Sequence, residues 1–291
     1  MLLHSDGTVS GIGNNRLGQL GLGDTRNRKA FTTLSSVSNV TAIASGEAHT
    51  VFLHGDGTVS TVGSNEDAQL GRVTNDGDRP GVPQKPQLHA PACAIACGYS
   101  HTVLLHTDGR MSVSGWNQMG QRGQSSSHPS SRPTFQVIPR LQNITAIASV
   151  ANTTLALHRN GTVSAWGEDG AGMGVGRCTT TKWLGMRCEN VDTPRKIPGL
   201  KNLVALRATG YHGLFLHADG TVSSVGGNNS YGQLGVGDTK PHLVPRRIDG
   251  LRDVVQLLGG YSGSAAVHKD GGISIWGTGV NSPSCSSEAV R

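Results

Sequence analysis

The 291 residues include 42 glycines, only 15% charged and 4% aromatic residues, and carry a formal net charge of +6. Glycine at about twice its usual share, with so few charges, excludes an ion-pair-rich helical bundle and points to many tight turns between short strands. A charge of +6 does not establish nucleic-acid binding. No run of 18 apolar residues is present that could cross a membrane as a helix.

The chain opens on "LLHSDGTVSGIG" (Leu2–Gly13), an apolar strand, an Asp-Gly pair and a second alternating strand. Two-residue Asp-Gly connections between alternating apolar residues predict β-hairpins with type I′ turns. A glycine-rich segment, "NNRLGQLGLGD", follows from Asn14. From Val40 the order becomes complete. "VTAIASG" predicts a strand ending in small residues, "HTVFLH" (His49–His54) a second and "TVSTVG" (Thr58–Gly63) a third, before "NEDAQLG" from Asn65. "PACAIACG" (Pro91–Gly98) starts the next unit, which ends in "NQMGQRG" from Asn117. Two further units carry "EDGAGMGVG" from Glu168 and "NNSYGQLGVGD" from Asn228, and a last hairpin closes the chain. The hairpin tips fall at 6–7, 56–57, 108–109, 160–161, 219–220 and 270–271.

A period near 50 residues signals a repeat architecture. With a fourth short strand in each connector, four antiparallel strands per unit describe β-propeller blades, which stack because one blade cannot bury both faces alone. The expectation is all-β: a single propeller domain over 1–291, of about six four-stranded blades.

"IASGEAHTVFL" (Ile43–Leu53) and "IACGYSHTVLL" (Ile95–Leu105), with "GQLGLGD" and "GQLGVGD", resemble the regulator of chromosome condensation repeat family. That resemblance implies a propeller, usually of seven blades, so this chain reads as a partial or six-unit member. The first unit starts mid-strand and the last lacks its glycine-rich segment, so a gap or poorly paired seam is expected between the ends. Later copies depart from the signature. Val150 replaces its glycine in the third, and the histidine is read as replaced by Thr153, Gly213 and Gly263. For some members the resemblance implies guanine-nucleotide exchange on a small GTPase. For others it implies the propeller module of a larger regulatory protein such as a ubiquitin ligase.

Six histidines precede the tips: His4, His54, His106, His158, His217 and His268. A metal ring is rejected, because zinc needs its ligands within about 2.3 Å of one ion and equivalent positions on separate blades lie far apart. His49 and His101 are expected to hydrogen-bond backbone between strands. Cys93 and Cys97 are expected to share one strand face with Ile95 as buried thiols. Cys178 and Cys188 bracket "TTTKWLGMR". A loop disulfide and half a metal site are both open to them, with unpaired thiols favoured. Five cysteines, including Cys285, are too few and odd in number for a secreted disulfide framework. The expected setting is therefore intracellular: cytoplasm, nucleus or mitochondrion. No phosphate-cradling loop, nucleophile elbow or paired-carboxylate site is written in the chain, so no catalytic residue, metal or cofactor is expected.

The acids of the tips are expected on one face, and the basic connectors to start from the other. The expected function is a non-catalytic scaffold that binds a protein or ribonucleoprotein partner through blade-connecting loops. Lys182, Trp183, Arg187, Arg195, Lys196, Arg246 and Arg247 are the candidate contacts. A small GTPase, another acidic protein or a nucleic acid are the candidate partners; a membrane is not.

Overall fold

The computed structural model describes the chain except residues 75–79, 125–132, 169–171, 177, 182–184, 211, 261 and 279–291, and except the side chains of 179–181 and 185–187. Every named element is a strand. β1 (Leu2–Leu3), β2 (Val9–Gly13) and β3 (Arg28–Thr33) form the first sheet, and β4 (Val40–Ser45), β5 (His49–His54) and β6 (Val59–Gly63) the second. β7 (Ala92–Cys97), β8 (His101–His106), β9 (Met111–Gly115) and β10 (Gln136–Val137) form the third. The fourth runs β11 (Ile144–Val150), β12 (Thr153–His158), β13 (Val163–Gly167) and β16 (Val191–Lys196), with a separate hairpin, β14 (Cys178–Thr181) and β15 (Gly185–Cys188), in its connector. β17 (Leu203–Thr209), β18 (His212–His217), β19 (Val222–Gly226) and β20 (His242–Arg247) form the fifth. β21 (Val254–Gly259), β22 (Gly263–His268) and β23 (Ile273–Gly277) form the sixth. The fold is thus an all-β propeller type built from antiparallel blades. By internal contacts the chain divides into two compact units, Met1–Thr154 and Leu155–Arg291, with the division inside β12. Among the described residues no helix is long and apolar enough to cross a membrane.

Within each unit, neighbouring blades pack their apolar faces together. Val9, Leu34 and Val37 of the first repeat pack with Val40, Phe52 and Val62 of the second. Val51, Leu53 and Val59 pack in turn with Ala92 and Leu104 of the third. In the second unit Leu214, Leu216, Val222 and Ile248 meet Val254, Leu257, Ala266 and Trp276. The hydrophobic gain therefore lies between blades, as a stacked repeat requires.

The hairpin tips differ from the expected type I′ turn. The amide of Gly57 donates to the His54 carbonyl and the amide of His54 to the Thr58 carbonyl, which makes a three-residue loop. Only the glycine adopts positive φ, as at Gly57 (77°) and Gly220 (76°). This is a type I turn closed by a left-handed glycine. The aspartate chooses it: Asp56 Oδ1 accepts from both the amide and the hydroxyl of Thr58, a local side-chain turn. The same pair of bonds recurs at Asp6, Asn160 and Asp219.

The tip histidines lock these hairpins from inside. In all six repeats Nε2 bonds the serine six residues on: Ser10, Ser60, Ser112, Ser164, Ser223 and Ser274. In four, Nδ1 donates to a carbonyl sixteen residues back, at Ser38, Ala90, Lys201 and Arg252. A carbonyl only accepts, so Nδ1 carries the hydrogen and Nε2 accepts from serine. Among the described residues no histidine, cysteine or carboxylate group clusters to hold a metal.

His49 and His101 do not bond backbone through Nε2 as expected; they reach one repeat onward. His49 Nε2 lies 3.0 Å from Thr102 Oγ1, and His101 Nε2 3.0 Å from Thr154 Oγ1. In the fourth copy the histidine position falls one residue before the expected Gly213. β18 pairs His212 with Gly226, as β5 pairs His49 with Gly63, so His212 and not Gly213 holds the histidine position. Its Nε2 lies 2.6 Å from Ser264 Oγ. Each receiving hydroxyl donates its one hydrogen to a carbonyl of the glycine-rich segment, at Gln69, Gln121 and Gln233. These histidines must therefore donate from Nε2, the opposite tautomer to the tip histidines. Glycine makes room for the ring: a Cβ on Gly46 or Gly98 would fall on His49 or His101 and on a neighbouring carbonyl.

Two cysteine expectations are corrected. β7 carries a bulge between Ala92 and Ala94. It breaks the alternation and turns Cys93 out to solvent, while Cys97 stays half-buried beside Ile95. Cys178 and Cys188 are a disulfide rather than free thiols, because the β14–β15 register sets them directly opposite each other.

Candidate partner-binding surface

Of the seven candidate contacts, Lys182 and Trp183 lie outside the described residues. Arg187 stands on β15 opposite Thr179. The other four sit on strands instead of loops. Arg195 and Lys196 end β16, Arg246 and Arg247 end β20, and all four are exposed. Their registers are equivalent: Lys196 pairs with Ser164 and Arg247 with Ser223, the serines that bond the tip histidines. The same two positions hold Thr32 and Thr33 in β3, and Gln136 and Val137 in β10. The fold therefore has no need of a cation there.

The tip acids and connector bases are not segregated as expected. β20 runs antiparallel to β19, so its last residue returns to the tip from which β19 started. Arg247 Nη1 meets Asp219 Oδ2 at 3.3 Å and donates to Thr221 Oγ1. Lys85 stands 4.0 Å from Asp56 in the same way. The hydroxyl and amide of Thr221, and then Arg247, hold the Asp219 carboxyl down to about 2. Arg246 lies 3.9 Å from Asp238, and Arg195 donates weakly to the Val175 carbonyl at 3.5 Å.

Beside this contact the second unit has an open depression of about 630 Å³. Arg159, Asn160, Lys201, Asp219 and Arg247 line it together with Leu200, Leu203, Val204 and Pro245. Arg159 is a residue that sequence reasoning missed. Its signal was available in the variable position between the tip histidine and Asp/Asn-Gly, which reads Ser5, Gly55, Thr107, Arg159, Ala218 and Lys269. His217 forms part of the floor, and burial keeps its pKa below the usual value.

The first unit has a second depression of about 620 Å³, lined by Glu47, Cys97, Tyr99 and Ser149 among others. Burial pushes the Cys97 thiol up to about 12, which removes it as a nucleophile. The second unit's depression carries Arg159, Lys201 and Arg247 against one carboxylate, Asp219.

The family model for the RCC1-like domain matches residues 8–285, and the chain belongs to that family. It is similar to the rat probable E3 ubiquitin-protein ligase HERC4, at 30% identity over 242 residues, covering 64% of this chain and 22% of that protein. It is similar to the regulator of chromosome condensation of Xenopus laevis, at 26% identity over 211 residues, covering 69% and 50%. The chain thus spans half or less of these relatives' length. The crystal structure of human WBSCR16 shares the fold, with a TM-score of 0.80 at 21% identity over 97% of this chain and 75% of that one.

Proposed function

We propose that the chain is a non-catalytic protein-interaction module. It holds a protein or ribonucleoprotein partner through Arg195, Lys196, Arg246 and Arg247 at the ends of β16 and β20, with Lys182, Trp183 and Arg187 of the neighbouring hairpin segment as further contacts. The observation that carries this reading is a set of exposed cations on strand positions that other repeats fill with threonine, glutamine or valine. Strands hold such side chains in fixed relative positions, which suits recognition. Proximity labelling and pull-down with the tagged chain test it. The expected result is a defined set of proteins lost from both an R246E/R247E variant and a K182A/W183A/R187A variant. Capture of the same proteins by both variants overturns it.

A second reading is guanine-nucleotide exchange, supported by the family resemblance. Its wedge would be the 177–193 connector. Release of labelled GDP from the small GTPase of nuclear transport is expected to be unaffected by the purified chain. An acceleration abolished by altering that connector would favour exchange instead.

A further inference from the structure

We infer that the depression between the fourth and fifth hairpin tips is a docking site for an acidic peptide segment, rich in aspartate and glutamate, of a protein partner. This inference rests on the interaction-module reading and names its partner chemistry.

The repeats supply an internal comparison. At this junction the residue after the tip histidine is Arg159, the carbonyl that accepts the next tip histidine belongs to Lys201, and the end of the following fourth strand is Arg247. Between the first and second repeats the matching residues are Ser5, Ser38 and Lys85, the last being one residue past the Thr61–Gln84 bridge. Between the second and third they are Gly55, Ala90 and Val137. The junction thus carries three cations where these two counterparts carry one and none.

The acid at the same place is removed. Five tips read Asp-Gly, and the fourth, which lines the depression opposite Asp219 of the fifth, reads Asn160-Gly161. Asn160 keeps the local bonds to Thr162 that the aspartates make elsewhere, so the turn is preserved and only the charge is gone. The one remaining carboxylate, Asp219, is already engaged by Thr221 and Arg247. Arg159 and Lys201 are exposed and form no ion pair among the described residues. Arg195 and Lys196 end β16, and Arg246 precedes Arg247 at the end of β20 with Asp238 3.9 Å away.

A spread of cations around an opening of about 630 Å³ suits several carboxylates on an extended segment better than one compact anion. Val204, 56% exposed among the lining residues, offers an apolar contact for the aliphatic stems between them. A nucleic acid is disfavoured, because single strands are held by bases stacked on aromatic side chains and no phenylalanine, tyrosine or tryptophan lines the depression.

Fluorescence anisotropy of the purified full chain with a dye-labelled Glu/Asp-rich peptide tests the inference. Its Gln/Asn counterpart and an oligo-dT serve as competing probes. The double substitution Arg159→Ser and Lys201→Ser installs residues that the first repeat junction tolerates; thermal unfolding verifies that the fold survives. The acidic peptide is expected to bind, the amide version not, and the double variant to bind about tenfold more weakly. Binding should weaken as salt is raised, and Arg16→Ser in the β2–β3 loop with Lys29→Ser on β3 should leave it unchanged. Equal binding of the acidic and amide peptides, no effect of the double substitution, or tighter binding of oligo-dT lost with the same substitutions would each overturn the inference. The module reading fails separately, in the pull-down. Captured proteins that depend on Arg246 and Arg247, together with an unbound acidic peptide, would sink only the partner chemistry.

Discussion

At the scale of single residues, the molecule uses histidine in two tautomers for two tasks. Tip histidines donate from Nδ1 to a carbonyl; the clasp histidines His49, His101 and His212 donate from Nε2 to a hydroxyl one repeat on. Burial holds the clasp group at about 4, 3 and 4, against about 6.5 in an unfolded chain. These folded-state values are lowered, so the unfolded chain binds more protons in between. The stability they contribute is complete above about pH 6.5 and is lost as pH falls toward 4 and then 3. The slope of unfolding free energy against pH between about 4 and 6 is expected to be shallower in His101→Gln by about 1.4 kcal/mol per pH unit. Urea unfolding of both proteins across that range measures it, and an identical slope would refute the assignment. A second residue-scale expectation concerns thiols. Cys93 is exposed, whereas Cys97 is held near 12 by burial. A maleimide should modify Cys93 in the native chain and Cys97 only after denaturation, as peptide mass spectrometry can read.

At the scale of the element, the unit of stability is the link between one blade's second strand and the next. Thr102 Oγ1 receives His49 Nε2 and donates to the Gln69 carbonyl, so one hydroxyl ties three segments of two repeats. Thr102→Val keeps the shape and leaves the buried His49 ring N–H without a partner, while the Gln69 carbonyl keeps only Ser114 Oγ at 3.2 Å. It is expected to cost about 1–3 kcal/mol, measured as a lowered urea midpoint with unchanged slope. Thr32→Val, at a half-buried edge position of β3 where Thr32 Oγ1 donates only to the Ala30 carbonyl at 3.3 Å, should cost less than about 0.5 kcal/mol. Equal losses from the two would show that the clasp contributes nothing special.

For the whole molecule, the disulfide lies apart from the blades. Cys178–Cys188 ties the hairpin β14–β15, a two-stranded sheet of its own, and isolated two-stranded hairpins are marginal in water. Its closure should therefore stabilise that hairpin and little else. Reduction is expected to move the midpoint of global thermal unfolding by less than about 4 °C, the shift that ~1 kcal/mol gives in a chain of this size. It should also open the hairpin to trypsin at Arg187 on β15. Loss of cooperative unfolding on reduction would mean instead that the connector braces the blades.

Much of this was legible in the chain itself. A repeat near 50 residues, alternating apolar strands and a turn signal in each copy determined the all-β propeller class, because these are local patterns written six times. The tip histidines and their serines are six residues apart in every copy, so that lock was also present in the sequence. Three things needed the tertiary structure. The bulge at Ala92–Ala94 sent Cys93 outward against simple alternation, since an unpaired residue in a ladder is decided by its neighbour strand. The partner of His49 lies 53 residues away, on a strand that only blade stacking brings near. Arg159, Lys201 and Arg247 come from three separate segments and become one cationic wall only when two repeats lie side by side. Local periodicity selects strands and turns, but contacts between repeats are chosen by packing, and the surface a partner meets is made of those contacts.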